Sequence, residues 1–235
     1  PTREGEARPG WLSVLSGRED WFVLWHPLRV TIHRQTARKC LVMSGILYVV
    51  ATPIGHLGDI SRRGVEILNQ VAVVAAEDTR RTRVLLQHIG QSSCELVSLH
   101  EHNEEKAGPG LIKRLQQGDD VALVSDAGTP LINDPGYLLL KMAWQAAVRV
   151  VPVPGACSIT TALSVCPIPC HPFRYVGFLP SKPKMRRSQL ESWLMMSDAL
   201  VFFESPHRIR ATLEDIAQIS QRQLMIGREM TKQYE

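Results

Sequence analysis

Chemically capable side chains concentrate in five short segments, each following an apolar, β-rich run. The first reads Thr52-Pro53-Ile54-Gly55-His56-Leu57-Gly58-Asp59. Pro53 stiffens the exit of the run, and Gly55 and Gly58 let a ligand approach the backbone. The segment is neither GxGxxG nor GxxxxGK, so it indicates neither a dinucleotide nor a triphosphate cradle, and alone it reads as a β–α turn. The second, Glu77-Asp78-Thr79-Arg80, sets two adjacent carboxylates beside a guanidinium, which is costly unless they are solvated, paired or used. Asp78 is expected to cap the following helix, which leaves Glu77 and Arg80 for function. The third is His100-Glu101-His102-Asn103. Two histidines at i, i+2 on extended chain share a face, but no third ligand stands at a recognisable metal spacing. No metal is expected there; a polar cleft wall or a base fits better. The fourth, Ser125-Asp126-Ala127-Gly128-Thr129-Pro130, places a carboxylate where a buried run meets a turn, able to accept from ribose hydroxyls or an ammonium. Asn133-Asp134-Pro135-Gly136 makes a further turn. The fifth is Pro154-Gly155-Ala156, directly ahead of another helix.

The elements that must carry these segments follow from apolar periodicity. Strands are expected at 46–52, 71–76, 94–100, 121–126 and 148–154, with helices near 60–70, 79–89, 103–117 and 136–147. Asp59 or Ser61 is a cap for the first helix, while Gly90 and Gly118 stop the second and third. Strand–helix alternation with nearly continuous apolar strands reads as an α/β fold whose parallel sheet is covered on both faces. Ligands then gather at the carboxyl ends of the strands. The loops after strands one, four and five are expected to form one pocket for an uncharged-to-zwitterionic ligand. Beyond Gly155 the pattern changes to helices at 156–165, 186–196 and 207–219 and strands at 174–179, 199–204 and 224–228. This predicts an N-terminal domain over 43–155 and a smaller α/β C-terminal domain over 156–235. The latter reads as incomplete because no closing strand precedes Glu235. Residues 1–42 show no sustained period and are expected to lie outside the fold.

Composition narrows the function classes. With 44% hydrophobic and 21% charged residues, the chain is neither disordered nor collagen-like. The charge-free stretch 150–173 is long enough to cross a bilayer, but its five prolines argue for strand, turn and buried helix. Five cysteines without a CxxC pair suggest reduced thiols and a cytoplasmic protein. The net charge is +4, yet residues 1–42 hold seven Lys/Arg against four Asp/Glu, so the remainder carries only +1. Global charge is therefore no argument for nucleic acid. A local patch is, and Lys182, Lys184, Arg186 and Arg187 form a basic loop without one acid among them.

These residues carry a family resemblance. From Leu47 to Glu235 the chain resembles the tetrapyrrole methylase superfamily, in the stretches LYVVATPIGHLGDIS, AAEDTRRTRVLLQHIG, LHEHNE, ALVSDAGTPLINDPGYLL, VVPVPGACSITTALS, FRYVGFLPSK and FFESPHR. Within it, the wording EDTR, HEHN and SDAGTPLINDPG is similar to the branch that methylates the 2′-hydroxyl of a cytidine ribose in 16S rRNA of the small ribosomal subunit. The resemblance implies a two-domain tetrapyrrole-methylase-like fold, S-adenosylmethionine as methyl donor in the cleft between domains, and a homodimer. It carries donor binding onto Pro53, Gly55, Asp126, Ala127, Gly128, Thr129, Pro154, Gly155 and Phe203. For the base that takes the ribose proton the candidates are Glu77, His102 and Asp78, with Arg80 orienting a carboxylate or touching phosphate. Lys182, Lys184, Arg186 and Arg187 would grip the rRNA backbone. Two departures stand out. Ala156 replaces the second proline of a loop that usually reads PGP, and Gly108-Pro109-Gly110 interrupts what is usually a plain helix. The competing readings are methylation of a tetrapyrrole or precorrin, and an inactive, truncated cofactor-binding fragment.

Overall fold

A computed structural model describes residues 44–235. The expectation for residues 1–42 lies outside the described residues. Five strands, β1 (Ile46–Val50), β2 (Val73–Ala76), β3 (Glu95–Ser98), β4 (Val121–Val124) and β5 (Arg149–Val153), form one sheet in the order β3-β2-β4-β1-β5. Every pairing in it is parallel. The connecting helices are α1 (Arg62–Gln70), α2 (Thr79–His88), α3 (Glu104–Gln116) and α4 (Tyr137–Gln145).

Alternation along the strands sends successive side chains to opposite faces. Val73, Ala75, Val121 and Leu123 pack with Leu111 and Leu115 of α3 and Leu139 and Ala143 of α4. Val74, Ala76, Ala122 and Val124 pack with Ile67 and Leu68 of α1 and Leu85 and Leu86 of α2. Both β2 and β4 are buried along their whole length, which explains their unbroken apolar sequence. The central strand β4 therefore stands between β1 and β2, whose following helices cover one face, while its own helix α4 covers the other. This is a topological switch point, the place at the carboxyl edge where open α/β sheets bind ligands.

Local signals act as expected at two starts. Ser61 Oγ accepts from the Gly64 N–H at 3.0 Å and opens α1. Asp78 accepts from the Arg80 N–H at 2.9 Å and opens α2. At α3 the expected interruption does not occur, and the helix runs through Pro109. A Cβ at Gly108 would lie 2.8 Å from Met142 Sδ, so this glycine lets α3 and α4 approach closely. Their packing outweighs the hydrogen bond that proline removes.

After β5 the chain forms α5 (Ser158–Ser164), β6 (Phe173–Phe178), α6 (Pro183–Ser192), β7 (Ala199–Phe203) and α7 (Ile209–Ile219). The stretch 150–173 is thus strand, helix and link, and no described helix is long and apolar enough to cross a membrane. Strands β6 and β7 pair in parallel as a separate two-stranded sheet. Leu179, Leu190 and Ile216 form its small core with Trp193, Phe202 and Ile219 around them. The strand expected at 224–228 does not form; these residues are exposed coil, and no strand among the described residues pairs with them. The expected basic loop is also corrected, because Lys182 occupies the N-cap position of α6 and residues 183–187 lie in its first turns.

Candidate active site

Three loops meet at the carboxyl edge of the large sheet. Thr52 and Gly128 exchange backbone hydrogen bonds at 2.9 and 3.0 Å, joining the exits of β1 and β4. Thr52 Oγ1 also donates to the Ser125 carbonyl at 3.1 Å. Thr129 Oγ1 donates to the Ala156 carbonyl at 3.0 Å, tying in the exit of β5. The expected convergence of Pro53–Gly55, Asp126–Thr129 and Pro154-Gly155 is therefore realised.

The glycines also admit other segments of the chain. A Cβ at Gly155 would lie 3.0 Å from Ala51 Cβ, and one at Gly128 (φ +86°) 3.3 Å from Ile54 Cγ2. At Gly55 it would lie 2.6 Å from Thr231 Oγ1 and 2.6 Å from Lys232 Cγ. In each case the close approach is made by the chain itself. Thr231 Oγ1 accepts from the His56 N–H at 3.2 Å, so a turn at residues 229–232 covers the β1 loop. Thr231 has φ 66°, a left-handed conformation unusual for a β-branched residue.

The polar side chains sort into bound and available groups. Asp78 is held by Arg80, whose Nε and Nη2 donate to its two oxygens at 3.0 and 2.8 Å. These bonds lower its carboxyl to about 2. A carboxylate so stabilised is a weak proton acceptor, and Arg80 is spent in holding it. Glu77 has the opposite fate. Burial raises its carboxyl, and the negative charges of Asp126 and Asp134 raise it further, against a backbone hydrogen bond from Asp126 and the charge of Arg81. Asp134 is likewise raised, first by burial and also by Asp126, while the Ser125 hydroxyl works in the other direction. Asp126 accepts from the Asp78 N–H at 2.9 Å and faces Arg81 at 3.4 Å. One carboxylate at the exit of β2 and two following β4 thus share a partly buried site.

His100 and His102 do not lie on extended chain. Asn103 folds the segment into a turn, accepting from the His100 N–H at 2.8 Å and donating to the Ser98 carbonyl at 3.0 Å. The two rings meet edge to face, 6.1 Å apart. His102 is exposed, and among the described residues no group of three or more His, Cys, Asp or Glu is arranged to hold a metal.

Phe203 packs against Tyr175 and Phe178, at ring separations of 5.2 and 5.7 Å. It lines a cavity of about 690 Å³, walled mainly by α5, β7, α7 and residues 222–230. That cavity does not reach Pro53–Gly55 or Asp126–Thr129. Tyr175 crosses from β6 to the other side, where its hydroxyl donates to Asn133 Oδ1 at 3.2 Å.

The basic group is corrected at Arg186. Its side chain is 3% exposed and pairs with Asp215 of α7 at 2.6 Å. Arg187 reaches the same carboxylate at 3.0 Å. The acid absent from the local sequence arrives from another helix, which leaves Lys182 and Lys184 as the exposed cations. Local reading also passed over Tyr175 and Thr231, whose partners lie far away in sequence, and treated Asp134 only as a turn residue.

The parallel α/β sheet thus carries three interlocked exit loops beside three clustered carboxylates. The tetrapyrrole (corrin/porphyrin) methylase family model matches residues 46–235, and the chain belongs to that family. Within it, the chain groups with ribosomal RNA small subunit methyltransferase I. The Escherichia coli O157:H7 protein of that name is 49% identical over 193 residues, covering 81% of this chain and 67% of its own length. That of Haemophilus influenzae is 47% identical over 195 residues, covering 82% and 69%. The chain thus spans about two thirds of these relatives. Uroporphyrin-III-C-methyltransferase from Thermus thermophilus shares the fold, with a TM-score of 0.51 at 20% identity over 75% of each chain.

Family membership implies S-adenosylmethionine as methyl donor. The crevice suits it chemically. Glu77, Asp126 and Asp134 crowd negative charge into a partly buried space, and Arg81 is the one cation that offsets Asp126 among the described ion pairs. A sulfonium or ammonium group placed there relieves that repulsion.

Proposed function

We propose that the protein transfers a methyl group from S-adenosylmethionine to the 2′-hydroxyl of a cytidine ribose in 16S rRNA of the small ribosomal subunit. The observation carrying this reading is the interlocking of the β1, β4 and β5 exit loops beside the carboxylates Glu77, Asp126 and Asp134. The relatives' name supplies the RNA substrate.

When bound, the donor supplies an electrophilic methyl carbon; the protein's own task is to hold both partners in line and to remove a proton. Positioning of this kind contributes about 7–11 kcal/mol, more than a base, which adds about 10²–10⁴-fold. Backbone groups of Pro53–Gly55, Asp126–Thr129 and Pro154-Gly155 hold the donor, and Asp126 and Asp134 face its positive charge. Glu77 accepts the ribose proton: a carboxyl raised by burial is a stronger base than Asp78. Lys182 and Lys184, exposed at the start of α6, grip RNA phosphates together with the helix N–H groups. The reading extends to a homodimer working in the cytoplasm, where small subunits are found.

Incubation with methyl-labelled donor and either 30S subunits or uroporphyrinogen tests the assignment. Label in 16S rRNA at a ribose 2′-oxygen is the expected result. Label confined to the macrocycle overturns it.

A further inference from the structure

Helix α4 begins without a capping side chain of its own, since Gly136 (φ 121°) occupies that position. Its first N–H groups are met from another helix. Glu104, the first residue of α3, is 4% exposed. One of its oxygens accepts from the Gly136 N–H and the other from the Leu138 N–H at 2.8 Å. No cation pairs with this carboxylate among the described ion pairs, so two backbone donors and the helix dipole carry its charge.

The chain immediately before these donors is Asn133-Asp134-Pro135, held by Glu104 from its far side. Asn133 meets the Tyr175 hydroxyl, and Asp134 stands beside Asp126 and Glu77. Glu104 itself is anchored, because Asn103 closes the preceding turn and Gly108 admits Met142 of α4 against α3. The LHEHNE segment thus reaches the start of α4 through a buried carboxylate.

We propose that Glu104 is a positioning residue: by capping α4 from α3 it fixes the Asn133–Asp134 turn and so holds the Asp134 carboxylate at the donor-binding crevice. This rests on the crevice being the donor site. Glutamine at this position offers one acceptor and turns an NH₂ group toward the second N–H, so the turn loses one of its two ties.

A double-mutant cycle on the full chain tests the inference, with donor affinity read by calorimetry and fold by circular dichroism and melting. Glu104→Gln is expected to weaken S-adenosylmethionine binding by about tenfold, as does Asp134→Asn, whereas the double variant matches Asp134→Asn within about twofold. Fully additive losses overturn the proposal, as does a lowered Tm with unchanged affinity. Should Glu104→Gln fail to fold, Glu104→Asp keeps the charge and shortens the reach. It is expected to weaken the donor by about threefold in the wild-type background and not at all in Asp134→Asn, and an equal loss in both overturns the idea. Wild-type protein that binds donor but leaves 30S RNA unlabelled overturns the RNA assignment alone, and the affinity cycle still decides the role of Glu104. Wild-type protein that binds no donor overturns both.

Discussion

Adjacent carboxylates at the exit of β2 show how environment divides chemistry. Asp78 points to Arg80 and the start of α2 and is held at about 2; Glu77 stands among Asp126 and Asp134, half-buried, and is raised. Glu77→Gln is expected to lower kcat for methyl transfer by about 10²–10⁴-fold and to weaken the donor less than Asp134→Asn does. It is also expected to remove an ascending limb of the pH–rate profile that lies above the ordinary carboxylate range, because the base works only when ionised. Stability runs in opposite senses at the two positions. Asp78 is depressed from 3.8, so its stabilising effect is present above that value and lost as pH falls toward 2. Glu77 is raised, so its effect is present at low pH and lost as pH rises through its folded value. Urea midpoints of wild type and Asp78→Asn are therefore expected to differ at neutral pH and to converge near pH 2.

Among the elements, α3 and the β4 exit loop offer direct tests of backbone argument. Gly110 sits inside α3 with open space where a Cβ would go. Gly110→Ala is expected to raise stability by about 0.5–1 kcal/mol, measured by denaturant unfolding. Gly128 is the reverse case, with φ +86° and Ile54 close by. Gly128→Ala is expected to cost about 1–2 kcal/mol and to weaken donor binding, since its N–H and carbonyl join two loops. The elements were legible where their signals are local: the strand runs, the cap at Asp78, and a cap at Asp59 or Ser61, of which the structure uses Ser61. They were misread where a distant partner decides. Gly108-Pro109-Gly110 reads as a break until Met142 is seen against Gly108, and 224–228 reads as a strand although no strand pairs with it.

At the scale of the molecule, the second α/β part is held by an ion triad. Asp215 is pushed up by burial, but hydrogen bonds from Arg186 and Arg187 override this and keep its carboxyl below the ordinary range. Asp215→Ala leaves Arg186 buried without its partner and is expected to cost about 3–5 kcal/mol, seen as a lowered denaturation midpoint. The proposed RNA contact rests on other cations. Lys182→Glu with Lys184→Glu is expected to weaken 30S binding and flatten its salt dependence while sparing donor affinity; equal loss of both counts against a phosphate role.

The sequence by itself determined the order of strands and helices as far as α7, the positions of the exit loops, and the cap that starts α2, while leaving Asp59 and Ser61 as alternatives for α1. These follow from periodicity and from side chains acting on backbone a few residues away. Only the tertiary structure decided that β4 stands between β1 and β2, which brings Glu77 beside Asp126 and Asp134. It alone assigned Arg186 to Asp215, Glu104 to α4, and the glycines to the chain's own loops. The reason is physical. Helical and strand periods are written over a few neighbours, whereas charge, burial and close approach depend on groups that meet only when distant segments pack.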